Sequence, residues 1–87
     1  MGWQIEFSKT SIKQLKKLDP QVRRKIVSYL KEKVTVAPSE LGAPLRNELS
    51  GFWKYRVADY RIICEHQDDK LVVLVLRVGH RKEVYRN

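Results

Sequence analysis

The sequence predicts an α+β domain, one antiparallel sheet with helices on a single face, and three observations carry that expectation. Trp3-Gln4-Ile5-Glu6-Phe7 alternates apolar and polar residues, the period of a half-buried strand. Between Ser8 and Val34 apolar side chains recur at spacings of three and four among lysines and arginines, the period of amphipathic helices. From Phe52 onward the period returns to two. Strand, helix, helix and then a three-strand meander close most simply as a four-stranded antiparallel sheet under a helical hairpin. At 87 residues the chain is read as one domain, residues 1–87, with room for a limited core.

Each element has a local reason. Trp3, Ile5 and Phe7 are expected to face inward. Ser8 stands where a helix N-cap belongs, and Ile12, Leu15 and Leu18 form the stripe that follows, with Lys9, Lys13, Lys16 and Lys17 around it. Asp19-Pro20 restarts the helix, since Asp accepts from orphan backbone N–H groups and Pro at the first helical position has no N–H to leave unpaired. Val22, Ile26, Leu30 and Val34 then fall four apart, widened by Val27 and Tyr29. Pro38 disfavours helical geometry at Ala37, and Ser39 to Gly51 reads as a connecting loop pinned by Leu41, Leu45 and Leu49. Its length hints at a short helix near Leu45 to Leu49.

In the last third, Trp53, Tyr55 and Val57 share one face and Lys54 and Arg56 the other. Ala58-Asp59 makes a tight reversal, after which Tyr60, Ile62 and Cys64 oppose Arg61, Ile63 and Glu65. Gln67 to Lys70 is a second hairpin turn, and Leu71 to Val78 a central strand with Val72, Leu74 and Leu76 expected beneath the helices. Parity then has a chemical consequence. With the aromatic and aliphatic set packed inside, Lys54, Arg56, Arg61 and Arg77 emerge together on the opposite face.

Composition narrows the partners. Eighteen Lys and Arg against ten Asp and Glu give a formal charge of +8, which favours a polyanion: nucleic acid or an acidic protein surface. The single cysteine, Cys64, excludes an intrachain disulfide, no Cys/His spacing offers a metal site, and no cofactor is expected. The N-terminus lacks a signal-peptide core and no run is long enough to span a bilayer, so a cytoplasmic protein is expected. Cys64 and His66 are read as structural.

A cationic sheet face suits a phosphate backbone, with Arg as a planar fork and Lys as a point charge. Cleaving that backbone further needs a base for the ribose 2′-hydroxyl, cations for the charge developing on phosphorus, and a donor for the leaving oxygen. The terminal Gly79-His80-Arg81 cluster with Tyr85 could supply these: His80 titrates near neutrality when unperturbed, Arg81 keeps its charge, and Tyr85 can donate or accept. The catalytic candidates are Lys54, Arg61, Arg81, Tyr85 and His80; Arg56, Arg77 and Lys82 are candidates for RNA binding.

The WQIEFS strand, the KKLDP helix break, the PLRNELSGFWKYRVADYRI passage and the closing LRVGHRKEVY give the chain a resemblance to the RelE toxins of bacterial toxin–antitoxin pairs, within the RelE/ParE superfamily. The likeness covers essentially the whole length. It implies a ribosome-dependent endoribonuclease, metal-independent, that cuts messenger RNA in the ribosomal A site and is neutralised by a RelB-like antitoxin with an acidic toxin-binding segment. By motif the family's basic residues and C-terminal Tyr fall on Lys54, Arg56, Arg61, Arg81 and Tyr85. In the implied mechanism Arg61 and Arg81 stabilise the transition state, and Lys54 or Tyr85 helps activate the 2′-hydroxyl. His80 stands where other members carry Lys or Asp, and Arg56 where a second Lys is known, so Lys54, His80 and Tyr85 remain the candidates for general base. Two alternatives stay open: a ParE-like inhibitor of DNA gyrase, and a non-catalytic module that binds RNA or the ribosome.

Overall fold

A computed structural model describes residues 2–45 and 51–80. Strand β1 (Gln4–Phe7) leads into helices α1 (Lys9–Lys16) and α2 (Pro20–Tyr29), and α2 runs on through a π-helical turn at Leu30–Val34. A short helix α3 (Pro38–Leu41) and a two-residue strand β2 (Ala43–Pro44) precede the meander β3 (Phe52–Val57), β4 (Tyr60–Gln67) and β5 (Val72–His80). The sheet has five strands in the order β1-β5-β4-β3-β2.

The α+β expectation holds, and two details of the sheet differ from it. β1 lies beside β5 and runs parallel to it, Ile5 opposite Val73 and Phe7 opposite Val75, so the sheet is mixed rather than antiparallel. The helical pair is what makes this possible, since a parallel neighbour requires a long crossover and a hairpin cannot supply one. The fifth strand is β2, paired with β3 through Ala43–Lys54 and Pro44–Trp53. It and α3 occupy part of the segment expected to be loop. Residues 46–49 of the helix expected near Leu45 lie outside the described residues.

Helix boundaries follow the capping chemistry. The Ser8 side chain accepts from Ser11 N–H at 3.1 Å, and Asp19 Oδ2 accepts from Gln21 N–H at 3.0 Å with Pro20 at the first position. Ile26, Leu30 and Val34 are fully buried, as the four-residue spacing requires. On α1 the buried side chains are Ser11 and Leu15, while Ile12 is 40% exposed at the flank of the stripe. Leu41 is likewise 41% exposed and does not pin the connecting segment.

The core joins these helices to Tyr55, Val57, Ile62, Cys64, Val73, Val75 and Val78, with Trp3, Ile5 and Phe7 packed against it. β5 therefore packs Val73 and Val75 into that core; of the expected set Val72, Leu74 and Leu76, Val72 is buried but outside the cluster, and Leu74 and Leu76 are only half-buried. A bulge accounts for the phase: Cys64 pairs with Val75 but Ile63 with Arg77, leaving Leu76 as an extra residue on β5. Val78 then returns to the helix side and Arg77 turns away from it.

α1 stabilises this irregularity directly. Ser8 Oγ donates to the Leu76 carbonyl at 3.1 Å, and Gln14 Oε1 accepts from Val78 N–H at 2.6 Å. Side chains of the helix thus satisfy backbone groups of β5 beyond the point where β1 ends. No helix among the described residues is long and apolar enough to cross a membrane.

The β3–β4 reversal carries a measurable strain. Val57 pairs with Tyr60 across a two-residue turn in which Ala58 has φ 53°, the left-handed region. That conformation costs an L-residue about 1–2 kcal/mol, partly offset by the entropy a glycine would lose. Ala58→Gly is expected to raise unfolding free energy by about 0.5–1 kcal/mol in urea titrations; an unchanged or lower value would show that the turn is unstrained.

Candidate nucleic-acid interface

The outer face of the sheet is organised in cross-strand rows. Directly opposed residues of neighbouring strands share a face, so Lys54, Ile63 and Arg77 form one row and Arg56, Arg61 and Gly79 the next. Lys54, Arg56, Arg61 and Arg77 are therefore brought together on the face away from the helices. Arg56 sits directly opposite Arg61. Arg56 and Arg77 are exposed; Lys54 and Arg61 are half-buried, with Arg61 Nε and Nη1 shielded from solvent.

Part of this face is a depression of about 260 Å³ where Lys54, Arg56 and Arg61 meet Leu41, Gly42 and Ala43. The second group was not singled out from sequence as site-forming. Tyr55 holds that wall in place: its hydroxyl donates to the Pro38 carbonyl at 2.6 Å, tying the start of α3 to β3. Gly42 lies so close above the ring that a Cβ there would stand 2.7 Å from Tyr55 Cε1. A glycine preceding Ala-Pro was the available signal, and it was read only as a loop marker.

Behind the face, His66 connects to the same unit. It stacks on Trp53 with ring centroids 4.3 Å apart and planes 8° from parallel, and its Nε2 lies 2.7 Å from the Tyr55 hydroxyl. Because the single hydroxyl proton goes to Pro38, His66 Nε2–H is the donor in that bond, and in the neutral ring Nδ1 is then the unprotonated nitrogen. Burial lowers the His66 pKa, while the charge of Asp68 acts in the opposite direction. Burial also pushes the Cys64 and Tyr55 groups up, so neither is an anion at neutral pH. The structural roles expected of Cys64 and His66 agree with these surroundings.

His80 is placed differently from the cations. β5 continues to His80, which pairs with Tyr60 and meets its ring edge-on at 5.6 Å. Tyr60 packs against the core, so this pair belongs to the helix-facing side of the sheet, across the strand from Arg61 and Gly79. β5 extends to His80, two residues past the end expected at Val78, so strand parity fixes His80. Arg81, Lys82 and Tyr85 lie outside the described residues. Among the described residues no group of three or more His, Cys, Asp or Glu is arranged to hold a metal ion.

This sheet and its helical layer are shared with solved toxins of toxin–antitoxin pairs. Residues 5–85 match the model of the ParE toxin of type II toxin–antitoxin systems, and the chain belongs to that family, within the RelE/ParE superfamily. It is 33% identical to toxin RelG of Mycobacterium tuberculosis over 86 residues, 99% of each chain. Toxin RelE of the same organism is 26% identical over 84 residues, 97% of this chain and 87% of that one. The toxin–antitoxin complex RelBE2 of M. tuberculosis superposes with a TM-score of 0.88 at 31% identity, covering 93% of both chains. A free E. coli RelE mutant gives 0.79 at 27% identity, covering 98% of this chain and 92% of that one. The protein is accordingly a RelE-like type II toxin.

The lowered pKa of His66 fixes the sign of a pH effect. The folded state holds this proton less tightly than the unfolded chain does. Its contribution to stability is full above the ordinary histidine value near 6.5 and is lost as pH falls through the lower folded value. The urea midpoint is expected to drop between about pH 7.5 and about pH 5, with a shallower slope in His66→Gln. Identical slopes in the two proteins would contradict this assignment.

Proposed function

We propose that this toxin is a metal-independent endoribonuclease that cleaves messenger RNA in the ribosomal A site and so stops translation. The observation that carries the reading is the pair of adjacent rows presenting Lys54, Arg56, Arg61 and Arg77 on one open sheet face. Four cations gathered on one face suit a polyanionic backbone better than a dispersed basic surface would. The Rel names of both curated relatives support the same reading.

In the proposed reaction a ribose 2′-oxygen attacks the adjacent phosphorus and loses its proton to a base. The bond to the 5′-oxygen breaks, and that oxygen leaves with a proton as a hydroxyl, giving a 2′,3′-cyclic phosphate. Arg61, half-buried at the depression, is assigned to the charge growing on the phosphoryl oxygens, with Arg81 as its partner by family resemblance. Arg56 and Arg77, with Lys82, hold flanking phosphates. Guanidinium is a poor proton acceptor, so the base falls to Lys54 or Tyr85. His80, across the strand, is assigned no step.

The partner proposed for the toxin is an antitoxin with an acidic binding segment, which the net charge favours and which the toxin–antitoxin complexes among the structural neighbours support. Action on DNA gyrase is the less favoured alternative, since the curated relatives that the chain matches include the Rel toxins RelG and RelE and the basic set is present.

Expression of the chain alone is expected to halt protein synthesis and to cut messenger RNA on purified programmed ribosomes, with gyrase supercoiling unaffected. Arg61→Ala is expected to lower the single-turnover cleavage rate about 10²-fold, or about 2.7 kcal/mol of barrier. Wild-type rates in that variant, or gyrase inhibition with intact messenger RNA, would overturn the reading.

A further inference from the structure

The segment that joins α3 to β2 carries an apolar side chain that the core does not use. Leu41, the last residue of α3, is 41% exposed and stands outside the hydrophobic cluster. It lines the depression of about 260 Å³ together with Ala43, and the charged side chains that line the same depression are Lys54, Arg56 and Arg61. Strand pairing sets this juxtaposition: Ala43 lies opposite Lys54, in the row that continues to Ile63 and Arg77. Among the described lining residues there is no Asp or Glu, and Glu40, next to Leu41 in the chain, is not one of them.

The apolar side of the depression is held in place from below. Tyr55, 1% exposed, donates its hydroxyl to the Pro38 carbonyl at 2.6 Å. A Cβ on Gly42, between Leu41 and Ala43, would stand 2.7 Å from Tyr55 Cε1 and 2.9 Å from Cζ, so backbone and ring are in close contact. The bond and the contact together fix the segment that bears Leu41, and a wall already in position loses little freedom when a ligand meets it. A bare phosphate would engage the cations and leave Leu41 in water. A nucleotide offers both kinds of surface, an anionic phosphate and a planar base on its ribose. Covering Leu41 also keeps water from the guanidinium of Arg61, whose Nε and Nη1 are already shielded, and so strengthens its pull on a phosphate.

We propose that the wall of Leu41 and Ala43 is a nucleoside subsite: it packs against the ribose and base adjoining the cleaved phosphate, while Lys54, Arg56 and Arg61 hold the phosphate. This rests on the nuclease reading for the identity of the strand and adds the side of the depression that takes the nucleoside. An acidic peptide would have to bring its carboxylate and its apolar side chain from different residues, whereas one nucleotide carries both surfaces, so RNA is the favoured occupant.

The test is an NMR titration of the full chain with a 5′-phosphorylated trinucleotide of 2′-deoxyadenosine, which has no 2′-oxygen to attack phosphorus, beside a titration with inorganic tripolyphosphate. The trinucleotide is expected to give saturable ring-current shifts of the Leu41 methyl signals, and tripolyphosphate to move the Lys54, Arg56 and Arg61 amides alone. Methyl signals that stay still throughout the trinucleotide titration, or that move as far with tripolyphosphate or with a short glutamate-rich peptide, would overturn the subsite. On programmed ribosomes Leu41→Ala is expected to lower the single-turnover cleavage rate about tenfold at an unchanged urea midpoint, with Leu41→Met restoring it. A wild-type rate in Leu41→Ala would equally overturn the subsite. Failure of the nuclease reading registers separately, as absence of cleavage by the wild-type chain whatever the methyl signals do.

Discussion

The register of the β3–β4 hairpin decides which side chains of this protein meet the helices and which lie on the open face of the sheet. Tyr55 opposite Ile62 and Trp53 opposite Cys64 commit one face to the core. Lys54 opposite Ile63 and Arg56 opposite Arg61 then have no choice of face. A slip of one residue would drive two arginines and a lysine under the helices while exposing Tyr55, at a cost no other contact could offset. The apolar packing of one side thus fixes the cations of the other, and Tyr55 also carries the α3 wall through its bond to Pro38.

β5 is the element that adapts. Its first half must match β1 and bury Val73 and Val75, while its second half must bring Arg77 beside Ile63 on the outer face. A regular strand cannot do both, and the extra residue at Leu76 reconciles them. The exposed backbone this creates is satisfied by Ser8 and Gln14 of α1, so the helix cap and the strand bulge form one structural unit. The same bulge sends Val78 and His80 to the helix side, separating His80 from Arg77.

The parts legible in the sequence were those set by local period and capping. The faces of β3 and β4, the Ser8 and Asp19 caps, and the Ile26-Leu30-Val34 stripe follow from spacing alone. β5 was less legible because it is apolar on both sides of Arg77, so alternation gives no phase. Arg77 was expected on the outer face and is there, yet the inward residues before it are the other set. The parallel pairing of β1 is a nonlocal choice that no periodicity records. α3 and β2 are too short to show a period, so Gly42 and its packing on Tyr55 remained hidden in an apparent loop.

Arg56 stands opposite Arg61 across the hairpin, at a position where a threonine or valine would suit a strand better. In the proposed nuclease these facing cations serve RNA rather than the fold. Arg56→Thr tests it most directly, by measuring the urea midpoint and ribosome-dependent cleavage on the same preparation. The predicted result is a midpoint at or above wild type with cleavage reduced by about tenfold or more, roughly 1.4 kcal/mol of barrier. Cleavage at the wild-type rate, or a loss of stability large enough to explain its decline, would contradict the claim.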